Sequence, residues 1–312
     1  MNSSTKDKVI NFSFIFPALF IFSIFYIYPF FYTFILSFQE YDLISSPKLI
    51  GITNFREVFS NKDWWSSMYN GAFITFWALT FQNILALMLA LAVDKVIRMR
   101  KFYRVVFFIL PVLSEIIIGL LMKQLLISEP VGRDVLNHLL RNLGLGFMVQ
   151  DWLGIERVRL VTALVHCWKG FGWAFVIFLA GLQSIPEQLY EAARIDGASA
   201  WQSFCKVTVP LLMPVITLIL VLTILGTMQA FAMILALTGG AGGLTTVPVM
   251  VIYDHIRFRL AGLACAEGLV LGVILITISF IMFFISKKIR SKYGVLSSQK
   301  NNNFDCTAYL PF

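Results

Sequence analysis

The chain has 312 residues, of which 58% are hydrophobic and 15% aromatic while only 13% are charged, and its formal net charge is +8 at pH 7. With a mean hydropathy of +0.79, it holds more apolar surface than one soluble core can hide, which excludes a soluble globular domain and describes an integral membrane protein. The basic excess has a ready explanation in membrane orientation and contact with anionic lipid, which makes nucleic-acid binding a poor reading of it.

In chain order, no charged residue lies between Lys8 and Glu40, between Asp63 and Asp94, between Lys206 and Asp254, or between Glu267 and Lys287. Each gap is long enough to cross a bilayer. Two further runs, Val105 to Leu126 and Leu160 to Leu182, carry isolated charges but are otherwise apolar. The pattern predicts an all-α membrane protein with six spanning helices: Phe12 to Phe38, Gly71 to Val93, Val105 to Leu126, Leu160 to Leu182, Leu211 to Leu237 and Ala261 to Ile285. The first run is longer than the roughly 7–15 residues of a cleaved signal's apolar region and no small-residue cleavage site follows, so it is expected to be retained as a helix. Residues 1–11 are expected to form a cytoplasmic N-terminus, 12–286 a transmembrane domain, and 287–312 a mobile cytoplasmic tail, polar and Asn-rich after Ser297.

Lys and Arg crowd at Lys6 and Lys8, in the short link holding Lys95, Arg98, Arg100, Lys101 and Arg104, and after the sixth helix at Lys287, Lys288, Arg290 and Lys292. All three places fall on one side of a six-helix path, which predicts cytoplasmic termini. The links on the other side, 39–70, 127–159 and 238–260, dilute their basic residues with Asp and Glu. Cys167, Cys205, Cys265 and Cys306 show no paired spacing and read as small hydrophobes. His138, His166 and His255 have no ligand spacing, so no metal site is expected, and the stretch GGAGGLTT at Gly239 to Thr246 lacks the Gly-Lys-Ser/Thr of a phosphate-binding loop. No clustered nucleophile is visible, so the chain does not read as an enzyme.

One polar island interrupts the apolar runs, from Ser184 to Pro214 on the cytoplasmic side of the path. Ser184 with Glu187 and Ser199 with Gln202 have capping-box spacing, which predicts two helix starts. Asp196 and Gly197 break the first helix, with Gly197 free to take a positive φ. Ala192 and Ala193 keep that helix thin enough for close approach by a partner, Glu191 offers an acceptor, and Pro210 and Pro214 are expected to open the fifth span. On residues alone the island is either an amphipathic loop resting on lipid headgroups or a surface for a partner outside the membrane.

The spacing of Glu191, Ala192 and Ala193, Gly197 four residues on, then Val207, Val209 and Pro210, resembles the cytoplasmic motif of permease subunits in ATP-binding cassette importers. In that motif EAA is followed by three residues, Gly, nine residues and Ile-x-Leu-Pro; Val207 and Val209 replace the Ile and Leu. The flanks IPEQLYEAARIDGAS, WQSF and TVPLLMP resemble the carbohydrate-class, maltose-type permeases, specifically the larger permease subunit. Tyr28, Pro29, Trp64, Trp65, Tyr103, Arg104, Pro111, Trp168, Lys169 and Thr238 extend the resemblance, whereas Ala241 and Gly242 stand where the family commonly has Gly-Pro. The resemblance implies the type I importer permease architecture, with residues 184–210 as a helix-bend-helix coupling element that uses Glu191, Ala192, Ala193, Asp196, Gly197, Val207 and Pro210. It further implies a second, related permease subunit, two ATP-binding cassette subunits that carry ATP and Mg where this chain carries no cofactor, an extracytoplasmic solute-binding protein, and a bacterial or archaeal inner membrane.

Polar groups inside a membrane are expensive and therefore mark function. Trp168, Lys169, Gly170 and Trp173 in the fourth helix combine aromatic faces, which suit the C–H side of a sugar, with a charge and space. Gly226, Thr227 and Gln229 add polar positions midway along the fifth. The resemblance puts both stretches at the mid-membrane sugar site, with Trp173 and Thr227 as contacts; Lys169 either meets an anionic group on the solute or snorkels to an interface. Glu115, Lys123 and Glu267 are expected to pair within the subunit or at the permease seam, and Ala264, Gly268 and Gly272 to favour close helix packing. Two other readings stay open: a self-contained secondary transporter or channel, for which repeated halves and midplane carboxylates are not found, and an importer of a non-sugar or sugar-phosphate solute.

Overall fold

A computed structural model describes residues 12, 15–95, 99–128 and 134–292. The N-terminus 1–11, Arg98 and the tail beyond Lys292, to which expectations were attached above, lie outside the described residues. The elements in chain order are α1 (Ile15–Leu36), β1 (Gln39–Glu40), β2 (Lys48–Leu49), α2 (Thr53–Ser60), α3 (Lys62–Asp94), α4 (Arg100–Val112), α5 (Glu115–Leu126) and α6 (Val135–Asn142). There follow α7 (Val158–Gln183), α8 (Glu187–Ile195), α9 (Ala200–Met228), α10 (Ala232–Thr238), α11 (Pro248–Arg257) and α12 (Ala261–Lys292). Among the described residues α1, α3, α7, α9 and α12 are each long and apolar enough to cross a membrane, and α4 with α5 make a sixth span if a bend of 89° is allowed.

That bend corrects the continuous third helix expected over Val105 to Leu126. Pro111 has no N–H to give the Phe107 carbonyl, and Leu113 and Ser114 then leave the helical region, at ψ 144° and 133°. The freed Phe107 carbonyl is covered by Gly172 of α7, where any Cβ would collide with it and with the Pro111 ring. Glu115 begins the new helix and Lys123 sits in its last turn, an arrangement that suits the helix dipole at both ends.

The fifth span also differs from expectation. Pro210 and Pro214 do not open it; the helix starts at Ala200 and stays continuous through a π-turn at Phe204–Thr208. At its other end the chain breaks at Gln229–Phe231 and restarts as α10, so the stretch to Leu237 is not one helix. α10 packs closely on α5, since a Cβ at Gly119 would come within 2.6 Å of the Met233 carbonyl oxygen.

The chain divides into two compact units. The first comprises the described residues up to Trp65 together with Val251–Val273. In it β1 pairs with β2 antiparallel, Gln39 opposite Leu49. Buried Asn54 donates through Nδ2 to the carbonyls of Ser37 and Gln39, both at 2.9 Å, and the Ala261 N–H donates to the Tyr41 carbonyl at 2.9 Å. Glu267, fully buried, accepts at 2.8 Å from or donates to His255 Nδ1, according to the ring's protonation, which is the first of the two pairings expected for this carboxyl, within the subunit or at the permease seam.

The second unit comprises Ser66–Met250 and the residues from Ile274. Two buried apolar clusters hold it: Ala86, Ala90, Phe171, Phe175, Leu179 and Leu212 are among the members of one, and Ile74, Ile118, Val165, Met233 and Ile234 of the other. Polar pairs cross between α3 and α9 inside it. The hydroxyls of Thr75 and Thr227 lie 2.6 Å apart, and Asn83 donates through Nδ2 to Thr223 at 3.2 Å. The glycine loop after α10 runs through positive φ at every residue from Gly239 to Gly243, including Ala241 at 44°. Asn70 pins that loop by donating to the carbonyls of Gly243 and Thr246, at 2.8 and 2.9 Å.

Candidate functional site: a capped polar segment and a broken-helix crevice

The polar segment between α7 and α9 is built from helix-terminus chemistry. α8 ends in a Schellman motif: the Ala198 N–H bonds the Ala193 carbonyl at 2.9 Å and the Gly197 N–H bonds the Arg194 carbonyl at 3.0 Å. That closure needs a left-handed residue at the turn, and Gly197 supplies it at φ 77° with no atom close to where a Cβ would stand. Two residues later Ser199 opens α9. Its Oγ accepts from the Gln202 N–H at 3.3 Å while the Ser199 N–H donates to Gln202 Oε1 at 2.7 Å, a complete capping box contributing about 1 kcal/mol to the helix start.

The other expected box is absent. Ser184 caps the C-terminal end of α7 instead, its hydroxyl donating to the Gly181 carbonyl at 2.7 Å, and α8 starts after Pro186 with Glu187 in its first turn. The Ser-x-x-Glu spacing forms no box, because Pro186 takes the N-cap position and leaves the serine two residues outside.

Of the residues singled out in this segment, Glu191, Ala192, Asp196 and Gly197 are exposed and Ala193 and Val207 half-buried, while Pro210 is buried where α9 enters its apolar run. Exposed apolar residues accompany them: Ile195 at 87% and Trp201 at 71%. The face is therefore polar at Glu191, thin at the alanine pair and apolar at its edge. α8 is tied to the π-turn of α9 by a 3.0 Å contact between the hydroxyls of Tyr190 and Thr208. From Ala200 the helix is unbroken into the span.

The second place of interest is the crevice at the break between α4 and α5, against α7. Trp168 is 39% exposed and lines a cavity of about 810 Å3 with Leu113, Ile118, Met122 and Gln124 among its neighbours. Lys169 donates through Nζ to Glu115 Oε1 at 2.9 Å. Two charges read separately from the sequence thus form one pair, with Glu115 at the first turn of α5.

The other intramembrane candidates sit elsewhere. Gly170 lies against Gln82 of α3, whose buried Oε1 would collide with any Cβ there, and Trp173 is half-buried against the apolar cluster around Phe175. Thr227 is buried against Thr75. Gly226 and Gln229 are exposed near the end of α9, Gln229 serving as its C-cap. The sequence reading passed over Thr75, Gln82 and Asn83, three polar residues within an apolar run; the rule that intramembrane polar groups have partners would have found them.

Comparison with known proteins places this arrangement. The family model for the binding-protein-dependent transport system inner membrane component matches residues 59–292. The arabinooligosaccharides transport system permease protein AraP of Bacillus subtilis (strain 168) is 30% identical over 258 residues, covering 81% of this chain and 80% of AraP. The trehalose/maltose transport system permease protein MalF of Thermococcus litoralis is 28% identical over 251 residues, 80% of this chain and 83% of its own. A crystal structure of a bacterial ABC transporter involved in the import of the acidic polysaccharide alginate superposes with a TM-score of 0.77 at 24% identity, over 92% of this chain and 98% of that one. It shares the fold. The six-span architecture, the polar segment and these relatives agree: the chain is a multi-pass membrane permease that belongs to the family of binding-protein-dependent transport system inner membrane components.

Proposed function

We propose that this chain is one permease subunit of an ATP-driven sugar importer, forming half of the pore beside a second, related permease, with both termini in the cytoplasm. The segment 184–210 is the docking element for the ATP-binding cassette subunits, which carry ATP and Mg and perform the hydrolysis that this chain does not. A solute-binding protein on the opposite face delivers the sugar. The observation that carries the reading is the pairing of an exposed, doubly capped turn at Gly197 and Ser199 with a helix that runs from Ala200 uninterrupted to Met228. A rigid link of that kind transmits motion from outside the membrane into a span. The sugar class is supported by AraP and MalF, whose names specify arabinooligosaccharides and trehalose/maltose.

Within this mechanism Glu191 orients α8 in its socket by accepting a hydrogen bond from a basic or backbone donor of the ATPase subunit, and Ala192 and Ala193 let that surface approach. Gly197 and Asp196 hold the bend, and Val207 and Pro210 seat α9 where its π-turn passes into the apolar run. The solute passes the crevice where α4 and α5 break, since a discontinuous helix at membrane depth is tolerated where it lines a cavity. Trp168 offers an aromatic face there and Lys169 with Glu115 a polar pair, while Gly226 and Gln229 present the exposed end of α9. Trp173, Gly170 and Thr227 support the walls from behind.

Reconstitution tests the reading. Liposomes holding this chain, its partner permease and the ATPase subunits are expected to accumulate a neutral oligosaccharide only when ATP and the binding protein are both present. Accumulation by this chain alone, without ATPase subunits, would establish a self-contained carrier instead.

A further inference from the structure

Resting on the reading that the break between α4 and α5 lines the solute path, we propose that the Lys169–Glu115 pair makes that path selective for neutral, polyhydroxylated solutes over anionic ones. Taken from the sequence alone, Lys169 either meets an anionic group on the solute or snorkels to an interface. The structure gives the ammonium a third role, because it is already engaged by a carboxylate at 2.9 Å.

The two partners are unequally placed. The Lys169 side chain is 14% exposed and that of Glu115 46%. The carboxylate is therefore the more accessible partner, and a solute that reaches the pair beside the break meets it first, with the ammonium behind it. Glu115 is also fixed from its own side: as the first residue of α5 it stands where backbone N–H groups of the opening turn have no intrahelical acceptor, and a negative charge is favoured there. An anionic group would have to displace a carboxylate bound by an ammonium and favoured by a helix dipole, and would face that carboxylate at close range until it did.

A neutral sugar meets no such competition. A hydroxyl is both donor and acceptor; one hydroxyl of a diol can donate to the exposed Glu115 carboxylate while its neighbour accepts from one of the remaining ammonium hydrogens of Lys169. Trp168, adjacent in sequence and 39% exposed on the neighbouring cavity, supplies an aromatic face for the C–H side of a further ring of the same saccharide. The cavity that Trp168 lines has no charged side chain among its described lining residues, so it offers an anion nothing to replace Lys169. The relatives fall on both sides of this division, AraP being named for arabinooligosaccharides and the alginate transporter for an acidic polysaccharide.

The test uses the assembled transporter, this chain with its partner permease and ATPase subunits, in nanodiscs and without the binding protein, so that selection by the latter does not intervene. Tryptophan fluorescence is titrated with maltotriose and with trigalacturonate. The wild-type assembly is expected to bind trigalacturonate more weakly than maltotriose. Glu115→Gln, which leaves Lys169 uncompensated, is expected to gain at least about tenfold in trigalacturonate affinity, with a steep dependence on salt. The gain should vanish when Lys169→Gln is added, and the charge-exchanged double variant Glu115→Lys with Lys169→Glu, which keeps a pair, should retain the wild-type order. Equal affinity for trigalacturonate in wild type and Glu115→Gln overturns the proposal. So does a wild-type assembly that prefers trigalacturonate, a result that needs no variant to fold. Either outcome leaves ATP-driven, binding-protein-dependent uptake intact, whereas failure of the importer reading shows as the absence of that uptake for saccharides of any charge.

Discussion

Gly172 and Gly197 are the same residue used for opposite purposes. At Gly172, inside the second unit, α4 and α7 approach so closely that a Cβ would strike the Phe107 carbonyl freed by Pro111. At Gly197 nothing stands near the missing Cβ, and glycine is there for its backbone, at φ 77°. The membrane interior is specified by space and the polar segment by conformation. In the first region substitution should act on folding, and in the second on what the folded protein does.

The largest effect is expected where space is filled. Gly172→Ala forces α4 and α7 apart, and overpacking of this kind costs roughly 1–3 kcal/mol or more, so the yield of folded protein and its thermal midpoint should both fall. Gly170→Ala, which drives a methyl into Gln82, should do the same. A Gly172→Ala protein that melts at the wild-type temperature would show that the α4–α7 contact is not limited by space.

Next comes Gly197→Val. A left-handed backbone costs a non-glycine residue about 1–2 kcal/mol, and the strain is confined to an exposed turn, so the detergent-solubilised protein should keep its helical circular dichroism and lose little thermal stability. Ser199→Ala removes a capping box worth about 1 kcal/mol and should loosen the start of α9, detectable as faster amide exchange at Gln202. Ser199→Asp should restore it. Ser184→Ala should leave the exchange at Glu187 as it was, since Ser184 does not cap α8.

The smallest effect belongs to the first unit. His255, on α11, has its pKa raised above the ordinary 6.5, chiefly by the hydrogen bond to Glu267 and against the opposing effect of burial, with Glu57 and Asp254 adding to the rise. A raised imidazole contributes its stability in full below the unfolded value and loses it as pH climbs through the folded one. The thermal midpoint should therefore decline modestly as pH rises past 6.5 and through that higher value, and Glu267→Gln should flatten the decline. A midpoint that rises over the same interval contradicts the pairing.

Much of this was legible in the sequence because bilayer thickness and charge are read residue by residue. The gaps in charge located the spans, and the spacing of Gly197, Ser199 and Gln202 located the turn. What the sequence hid was produced by contacts between distant residues. The 89° bend depends on Gly172 covering a carbonyl 65 positions away from it in sequence (172 − 107), which no local pattern contains. Pro210 suggested a helix start because proline favours first turns, yet a π-turn just before it let the helix continue from Ala200. Lys169 and Glu115 each registered as an isolated intramembrane charge; only the bend after α4, which brings the first residue of α5 beside α7, made them one pair.

The central claim is that the segment around Glu191 and Gly197 is the lever through which ATP hydrolysis drives this permease. It is tested most directly by measuring sugar uptake and ATP hydrolysis together in liposomes that hold the assembled transporter and its binding protein, comparing wild type with Glu191→Ala and Gly197→Val. Both variants should fold and assemble, and uptake per ATP hydrolysed should fall by at least about tenfold, within the usual range of coupling between sites. Uptake and hydrolysis that both remain at wild-type levels in the two variants would contradict the claim.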